Sequence, residues 1–168
     1  RNNGSAASSE LAGFPYHALD TYLHKLVKAG YRVAICDQLE DPKQAKGIVK
    51  RGVTELVTPG IATNEKLLDH SNNNFLAAIH FTDKNSGIAF LDITTGEFFA
   101  AEGSFEYIDK LLQTLKPAEV IFQRSYQKHF KETFGTTFYT YSLESWIFDF
   151  KYAFESLLKH FQTHSLKG

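Results

Sequence analysis

The stretch NFLAAIHFTDKNSGIAFLDITTGEFFAAE, at residues 74–102, contains three apolar runs of strand length. The runs cover residues 74–81, 87–93 and 97–102, and the turns DKNSG and TTG separate them. Turns this short can join only antiparallel neighbours, because a connection between parallel strands must run back along the full length of a strand. The stretch therefore predicts a three-stranded antiparallel meander.

Helical and strand-like segments alternate after the meander. Ser104 is placed to cap a helix whose apolar stripe ends before Pro117. The segments that follow are a strand at 119–122, a helix at 126–133, a strand at 138–141 and a long aromatic helix from residue 142 onward. Helical crossovers are right-handed and add parallel strands, so the order βββαβαβα predicts an α/β fold of the ribonuclease-H-like type.

The segment before the meander has a different pattern. In GFPYHALDTYLHKLVKAGYRVAICDQLEDP, residues 13–42, apolar side chains at helical spacing predict a helix at 17–29. Gly30 supplies a left-handed helix stop, and YRVAIC predicts a buried strand in which Cys36 is a small buried side chain. A further extended segment comes before residue 58, so this portion is predicted to be a small mixed α/β unit.

A change of composition between residues 58 and 74 predicts the connection between two domains. We expect a small mixed α/β partial domain over residues 1–60. We expect the ribonuclease-H-like domain over residues 61–168 and predict that it is truncated at its end. The chain contains no methionine, not even at position 1, which indicates an excerpt from a longer polypeptide.

Charge and composition limit the functional classes. The chain has 168 residues, 43% of them apolar, which is enough for real cores, and its net charge is −1. A protein held on nucleic acid by bulk charge alone is therefore excluded. Residues 1–60 carry +2 and residues 61–168 carry −3, so phosphate contacts are expected in the first portion.

Several features indicate a cytoplasmic location. A single cysteine excludes an internal disulfide framework and fits a reducing compartment. The longest apolar runs are too short to span a bilayer, and no signal-peptide pattern opens the chain. We therefore expect a soluble intracellular protein without a membrane partner.

Carboxylates in this fold suggest a competing interpretation, a metal-dependent nuclease or resolvase. Two-metal phosphoryl chemistry needs several converging acidic side chains, and Asp92 stands at a strand end in FLDITTGEF. The catalytic aspartate of such nucleases lies on the first meander strand, where this chain offers only His80. Glu102, Glu119 and Asp149 are the available companions, and each is equally interpretable as a residue at the end of an element. We predict no catalytic and no metal-binding residue.

Two further patterns would indicate ligand sites, one for zinc and one for a nucleotide, and neither is complete in the sequence. His160 and His164 are four residues apart, but a zinc site needs three or four ligands and no third is indicated nearby. The sequence has no GxxxxGK[ST] phosphate loop, so it provides no nucleotide site.

The block at residues 13–42, together with LVTPG at residues 56–60, resembles the MutS family of DNA mismatch-repair proteins. The resemblance continues through NNFLAAIHF and GIAFLDITTGEF and becomes faint over residues 126–150. It implies that the first portion is the later part of a mismatch-recognition domain. It also implies that the second is a connector domain with a ribonuclease-H-like fold and no nuclease activity.

The resemblance further implies a place in a larger assembly. The full-length protein would be a homodimer that binds mismatched duplex DNA and uses ATP and Mg²⁺, with no cofactor in this portion and a nucleoid-associated location in the cytoplasm. The family's Phe-x-Glu mismatch probe would lie upstream of Arg1. Phe130-Lys131-Glu132 matches the letters of that motif but falls in the connector, so we interpret the match as a coincidence.

Two sets of site residues follow. Contacts with the DNA backbone suit Lys, Arg and small polar groups, and the candidates are Arg1, Asn2, Asn3, Lys46, Lys50 and Arg51. The resemblance implies docking of the repair protein MutL on the last helix, where Glu155 and Ser156 match the contact positions and Lys151 and Lys159 share the outward face. The buried stripe of that helix is predicted to be Phe150, Ala153, Phe154, Leu157, Leu158 and Phe161.

Each of these charged residues could instead be an ordinary solvated side chain. The sequence therefore favours a non-catalytic connector and docking module. A ribonuclease-H-like nuclease and a purely structural spacer remain as alternatives.

Overall fold

The computed structural model describes residues 12–41, 43, 47–61, 73–83 and 85–167. The candidate residues Arg1, Asn2, Asn3 and Lys46 lie outside these ranges, as does most of the predicted connection between domains. Within the described ranges, no helix is both long and apolar enough to cross a bilayer.

The first unit consists of one helix and a two-stranded antiparallel sheet. Its elements are a 3-10 turn (Tyr16–Ala18), helix α1 (Leu19–Lys28) and strands β1 (Val33–Gln38) and β2 (Arg51–Val57). Leu23 and Val27 of α1 are buried together with Val57, and Val33 and Ile35 pack against them. Apolar spacing of three to four residues thus turns one face of the helix onto the sheet.

Helix α1 ends where the sequence predicts. Gly30 has a φ of +87°, and its N–H donates to the carbonyl of Val27, while the N–H of Tyr31 donates to that of Leu26. These two bonds form a Schellman motif, which satisfies carbonyls that the helix end would otherwise leave unpaired. The chain is turned directly into β1.

The second unit is built on a five-stranded sheet of order β5-β4-β3-β6-β7. Its strands are β3 (Phe75–Phe81), β4 (Ser86–Asp92), β5 (Phe98–Gly103), β6 (Glu119–Gln123) and β7 (Thr140–Leu143), and its helices are α2 (Phe105–Leu115), α3 (Gln127–Phe134) and α4 (Phe150–His160). Strands β3, β4 and β5 pair antiparallel, whereas β6 pairs parallel with both β3 and β7. The predicted meander and the ribonuclease-H-like topology are both confirmed.

One face of this sheet carries the main core. Alternate residues of β3 are buried and meet residues of α2 and α3. The buried set comprises Phe75, Ala77, Ile79, Phe81, Ile88, Phe90, Ile108, Leu112, Val120, Phe122, Phe130 and Phe134. This core shares no residue with that of the first unit, so each unit has its own apolar centre.

The end of the chain departs from the sequence prediction. The last helix begins at Phe150 rather than at residue 142, after a 3-10 turn at Ser145–Phe148. The Asp149 carboxylate accepts a hydrogen bond of 3.0 Å from the N–H of Tyr152 and so caps the helix start. The strand before it, β7, covers Thr140–Leu143 and so begins and ends two residues later than the predicted strand at 138–141.

Candidate functional site: docking helix, basic strand end and domain joint

Helix α4 exposes the four docking candidates, of which the family resemblance selects Glu155 and Ser156. Lys151, Glu155 and Lys159 are spaced by four and follow one line along the helix, with Ser156 beside the middle position. All four side chains are exposed. The predicted outward placement is therefore present in the structure.

The predicted buried stripe of α4 is wrong. No residue of this helix is buried among the described residues: Phe150 is 81% exposed and Phe161 is 60% exposed, while Ala153, Phe154, Leu157 and Leu158 are exposed or half-buried. The principal neighbour of α4 is the preceding 3-10 turn, where the Trp146 and Tyr152 rings meet edge to face at 5.0 Å. An amphipathic pattern defines an apolar face but does not supply the surface that covers it.

The basic candidates that the structure describes lie at the start of β2. Arg51 is exposed and pairs with Gln38, and Lys50 is exposed just before it. The Glu40 carboxylate accepts a hydrogen bond of 2.6 Å from the Lys50 N–H. The structure thus brings Lys50 and Arg51 together at an exposed strand end, beside one acidic residue.

Asp92 is committed to the turn that follows β4. Its carboxylate accepts hydrogen bonds from the Thr94 hydroxyl at 2.6 Å and from the N–H groups of Thr94, Asn74 and Thr95 at 2.8, 3.0 and 3.3 Å. Burial alone would raise the pKa of Asp92, but these four bonds together lower it below its usual value. Both oxygens of this carboxylate already accept hydrogen bonds from the protein, so the burial of Asp92 is explained by its role in the turn.

The proposed acidic companions of Asp92 are dispersed. Glu102 is exposed on β5, Asp149 caps α4, and Glu119 lies at the start of β6 with partners of its own. Among the described residues, no group of three or more His, Cys, Asp or Glu side chains could hold a metal ion. The geometry therefore gives no support to a two-metal nuclease.

Two other motifs receive a structural explanation. Phe130, in the Phe-Lys-Glu sequence that matches the mismatch probe, is 1% exposed and stacks on Phe122 with ring centroids 4.5 Å apart. It belongs to the core and cannot reach a base. Cys36, expected to be buried, is exposed, because α1 covers only the sheet face that carries Val33 and Ile35.

The residue whose role sequence reasoning missed is Glu119, which the nuclease interpretation named only as a possible companion of Asp92. It is 2% exposed, and its carboxylate accepts hydrogen bonds from the Thr58 hydroxyl, from the Arg32 guanidinium at 2.6 Å and from the Gly60 N–H at 3.2 Å. The one signal in the sequence is an acidic residue directly before the apolar run VIF. That signal names no partners, since all three come from the first unit and the segment after β2.

Comparisons with known proteins agree with this architecture. Two family models match the chain, MutS domain I over residues 1–66 and MutS domain II over residues 74–168. The DNA mismatch repair proteins MutS of Phocaeicola vulgatus and Cytophaga hutchinsonii are each 60% identical over all 168 residues, and that of Bacteroides thetaiotaomicron is 56% identical. These 168 residues are 19% of the first relative and 20% of the other two, so the chain spans about a fifth of the length of the curated relatives it matches. The chain belongs to the MutS family and corresponds to that family's first and second domains.

Proposed function

We propose that this chain acts in DNA mismatch repair as a non-catalytic connector and docking module. Its first unit supports contacts with the DNA backbone, and its second unit docks MutL. Membership of the MutS family and the names of the relatives support the repair role. ATP, Mg²⁺, mismatch recognition and homodimer formation belong, in this proposal, to the longer protein, which works in the cytoplasm on the nucleoid.

The observation that carries the docking proposal is the exposed polar line of α4. Lys151, Glu155 and Lys159 present alternating charges at a spacing of one helical turn, and Ser156 is open beside them. A partner can approach this line without displacing any core residue. Charges arranged in this way fix the register and the partner choice of an interface more than its total affinity.

Binding to the N-terminal part of the cognate MutL, measured by interferometry, tests the proposal. The wild-type chain is compared with a Glu155→Arg, Ser156→Arg double variant. We expect wild-type binding that the double variant loses, because the glutamate is removed and two long cationic side chains are added in the middle of the exposed line.

A matched control is available on α3, where Gln127→Arg with Glu132→Arg makes the same change of charge on exposed positions. This control should bind as the wild type does. Equal loss by both double variants would mean a general charge effect. Wild-type binding that survives the α4 substitutions would place MutL elsewhere and would overturn the docking site.

A further inference from the structure

A buried charge lies where the two units of the chain meet. Glu119 begins β6 in the five-stranded sheet, whereas Arg32 precedes β1, and Thr58 and Gly60 follow β2. The Glu119 partners are therefore separated from it by 59 to 87 positions in the sequence. A buried carboxylate is tolerated only with such donors, and here they come from Arg32 of the first unit and from the segment that directly follows β2.

Aromatic rings and glycines complete the contact. The Arg32 guanidinium carbon lies 3.6 Å from the centroid of the Tyr141 ring, so one side chain binds both a carboxylate and an aromatic face. A Cβ on Gly30 would lie 2.1 Å from the ring of Tyr139. The Tyr139 ring therefore occupies the space that a side chain at residue 30 would need, and its position here depends on the glycine.

The segment after β2 is equally tight. A Cβ on Gly60 would lie 2.9 Å from the Cβ of Glu119 and 2.9 Å from Leu76 Cδ1. The Asn74 side-chain amide donates a hydrogen bond of 3.0 Å to the carbonyl of Pro59. Strand β2 ends at Val57, and residues 58–60 are buried although they belong to no helix or strand.

We propose that Glu119 is the positioning residue of a rigid joint, which holds the α1/β1/β2 unit in one orientation on the five-stranded sheet. Each unit has its own buried apolar cluster, so loss of the joint leaves the contacts inside both clusters in place. A buried ion pair adds little net stability compared with apolar packing, and in some proteins it fixes a single arrangement, which is the role proposed for Glu119. Removal of the carboxylate should free the orientation and leave both units folded.

The distance between the units can be measured on the chain as it is. Cys36 in β1 is the single cysteine and is exposed, so one spin label can be attached there, and Lys110→Cys on α2 provides an exposed second site. Double electron–electron resonance then gives the distribution of distances between the labels. We expect one narrow peak for the wild-type joint and loss of that single peak in Glu119→Gln.

A matched control is the Glu144→Gln variant. Glu144 also pairs with an arginine, Arg124, but within the second unit and on its surface. It should keep the narrow peak. A narrow peak in Glu119→Gln would overturn the proposal, and so would equal broadening in the control, because that would be a general loosening of the chain.

Arg32→Gln provides a second variant in case Glu119→Gln fails to fold. It removes the guanidinium but leaves the Thr58 and Gly60 bonds to the carboxylate. Circular dichroism confirms that both units remain folded. If Glu119→Gln does not fold, loss of the single peak in Arg32→Gln supports the joint and an unchanged peak overturns it. MutL binding is not part of this readout, so failure of the docking proposal leaves the result unaffected.

Discussion

At the scale of single residues, two buried carboxylates have different tasks. Asp92 binds donors from its own turn and from Asn74, which directly precedes the paired strand β3. It therefore stabilises one end of the meander. Glu119 binds donors from a distant part of the chain, so it stabilises an arrangement of units. Both are tolerated because every charged oxygen has a donor, which is the condition for burying a charge at moderate cost.

Asp92→Asn should destabilise the chain at neutral pH. The amide nitrogen would face either the N–H of Asn74 or the three donors of the turn, which leaves at least one donor without an acceptor, at a cost of about 1–3 kcal/mol. The pKa of Asp92 is lowered in the folded state, so its contribution is complete above the ordinary pKa of 3.8 and is lost as the pH falls through the lowered value. The variant should therefore lose stability at pH 7 and lack this part of the acid dependence.

Urea unfolding at pH 7 and at several values below pH 4 checks this prediction. Asp83→Asn, at an exposed turn position, is the control and should change neither quantity. If Asp92→Asn unfolds at the wild-type urea concentration at pH 7, the turn does not depend on the carboxylate.

Single residues also mark where sequence reasoning stops. The roles of Ser104 and Gly30 were predictable because a cap and a left-handed stop act on neighbours within four positions. The role of Glu119 was not predictable, because its partners are fixed only by the completed fold. Cys36 was wrongly expected to be buried, since an apolar run cannot show that only one face of a two-stranded sheet is covered.

At the scale of elements, the same distinction separates the meander from α4. The meander was predictable because its turns are local and leave only antiparallel pairing. Helix α4 was predictable in its apolar pattern but not in its start or its burial, because both depend on the 3-10 turn before it and on the surface that it meets. The amphipathic pattern predicts which face of α4 is apolar, but only the tertiary structure determines whether another element covers that face.

The exposure of α4 predicts an unequal response to two phenylalanine substitutions. Phe130→Ala removes a ring that is 1% exposed and should cost about 3–5 kcal/mol of unfolding free energy. Phe150→Ala removes a ring that is 81% exposed and should cost about 0.5 kcal/mol or less. Urea unfolding at two protein concentrations measures both values and detects any contribution from self-association. A cost at Phe150 that rivals the cost at Phe130 would mean that the apolar face of α4 is buried in solution.

At the scale of the whole molecule, charge and architecture divide the chain in the same place. The first unit, with Lys50 and Arg51 at an exposed strand end, lies in residues 1–60, which carry +2. The five-stranded sheet lies in residues 61–168, which carry −3. A joint that fixes their orientation would let a basic surface and a docking helix be presented at a constant distance. The separation is what the proposed connector and docking role requires.

This division predicts where weak DNA binding resides. Each phosphate contact that is removed should lower the slope of log affinity against log salt by about 0.9, so Lys50→Ala with Arg51→Ala should reduce it by up to about 2. Fluorescence anisotropy with a short labelled duplex, repeated at several salt concentrations, measures the slope. Lys128→Ala with Lys131→Ala removes the same charge from α3 in the acidic portion and should leave the slope unchanged.

The same titrations test base recognition. The Phe-x-Glu match in this chain has its phenylalanine in the core, so paired and mismatched duplexes should bind with equal affinity. Contacts limited to phosphates are insensitive to sequence, which means that any preference must come from another surface. Tighter binding to the mismatched duplex would contradict contacts limited to phosphates, and an equal loss of slope in the α3 control would contradict the assignment of DNA contacts to the first unit.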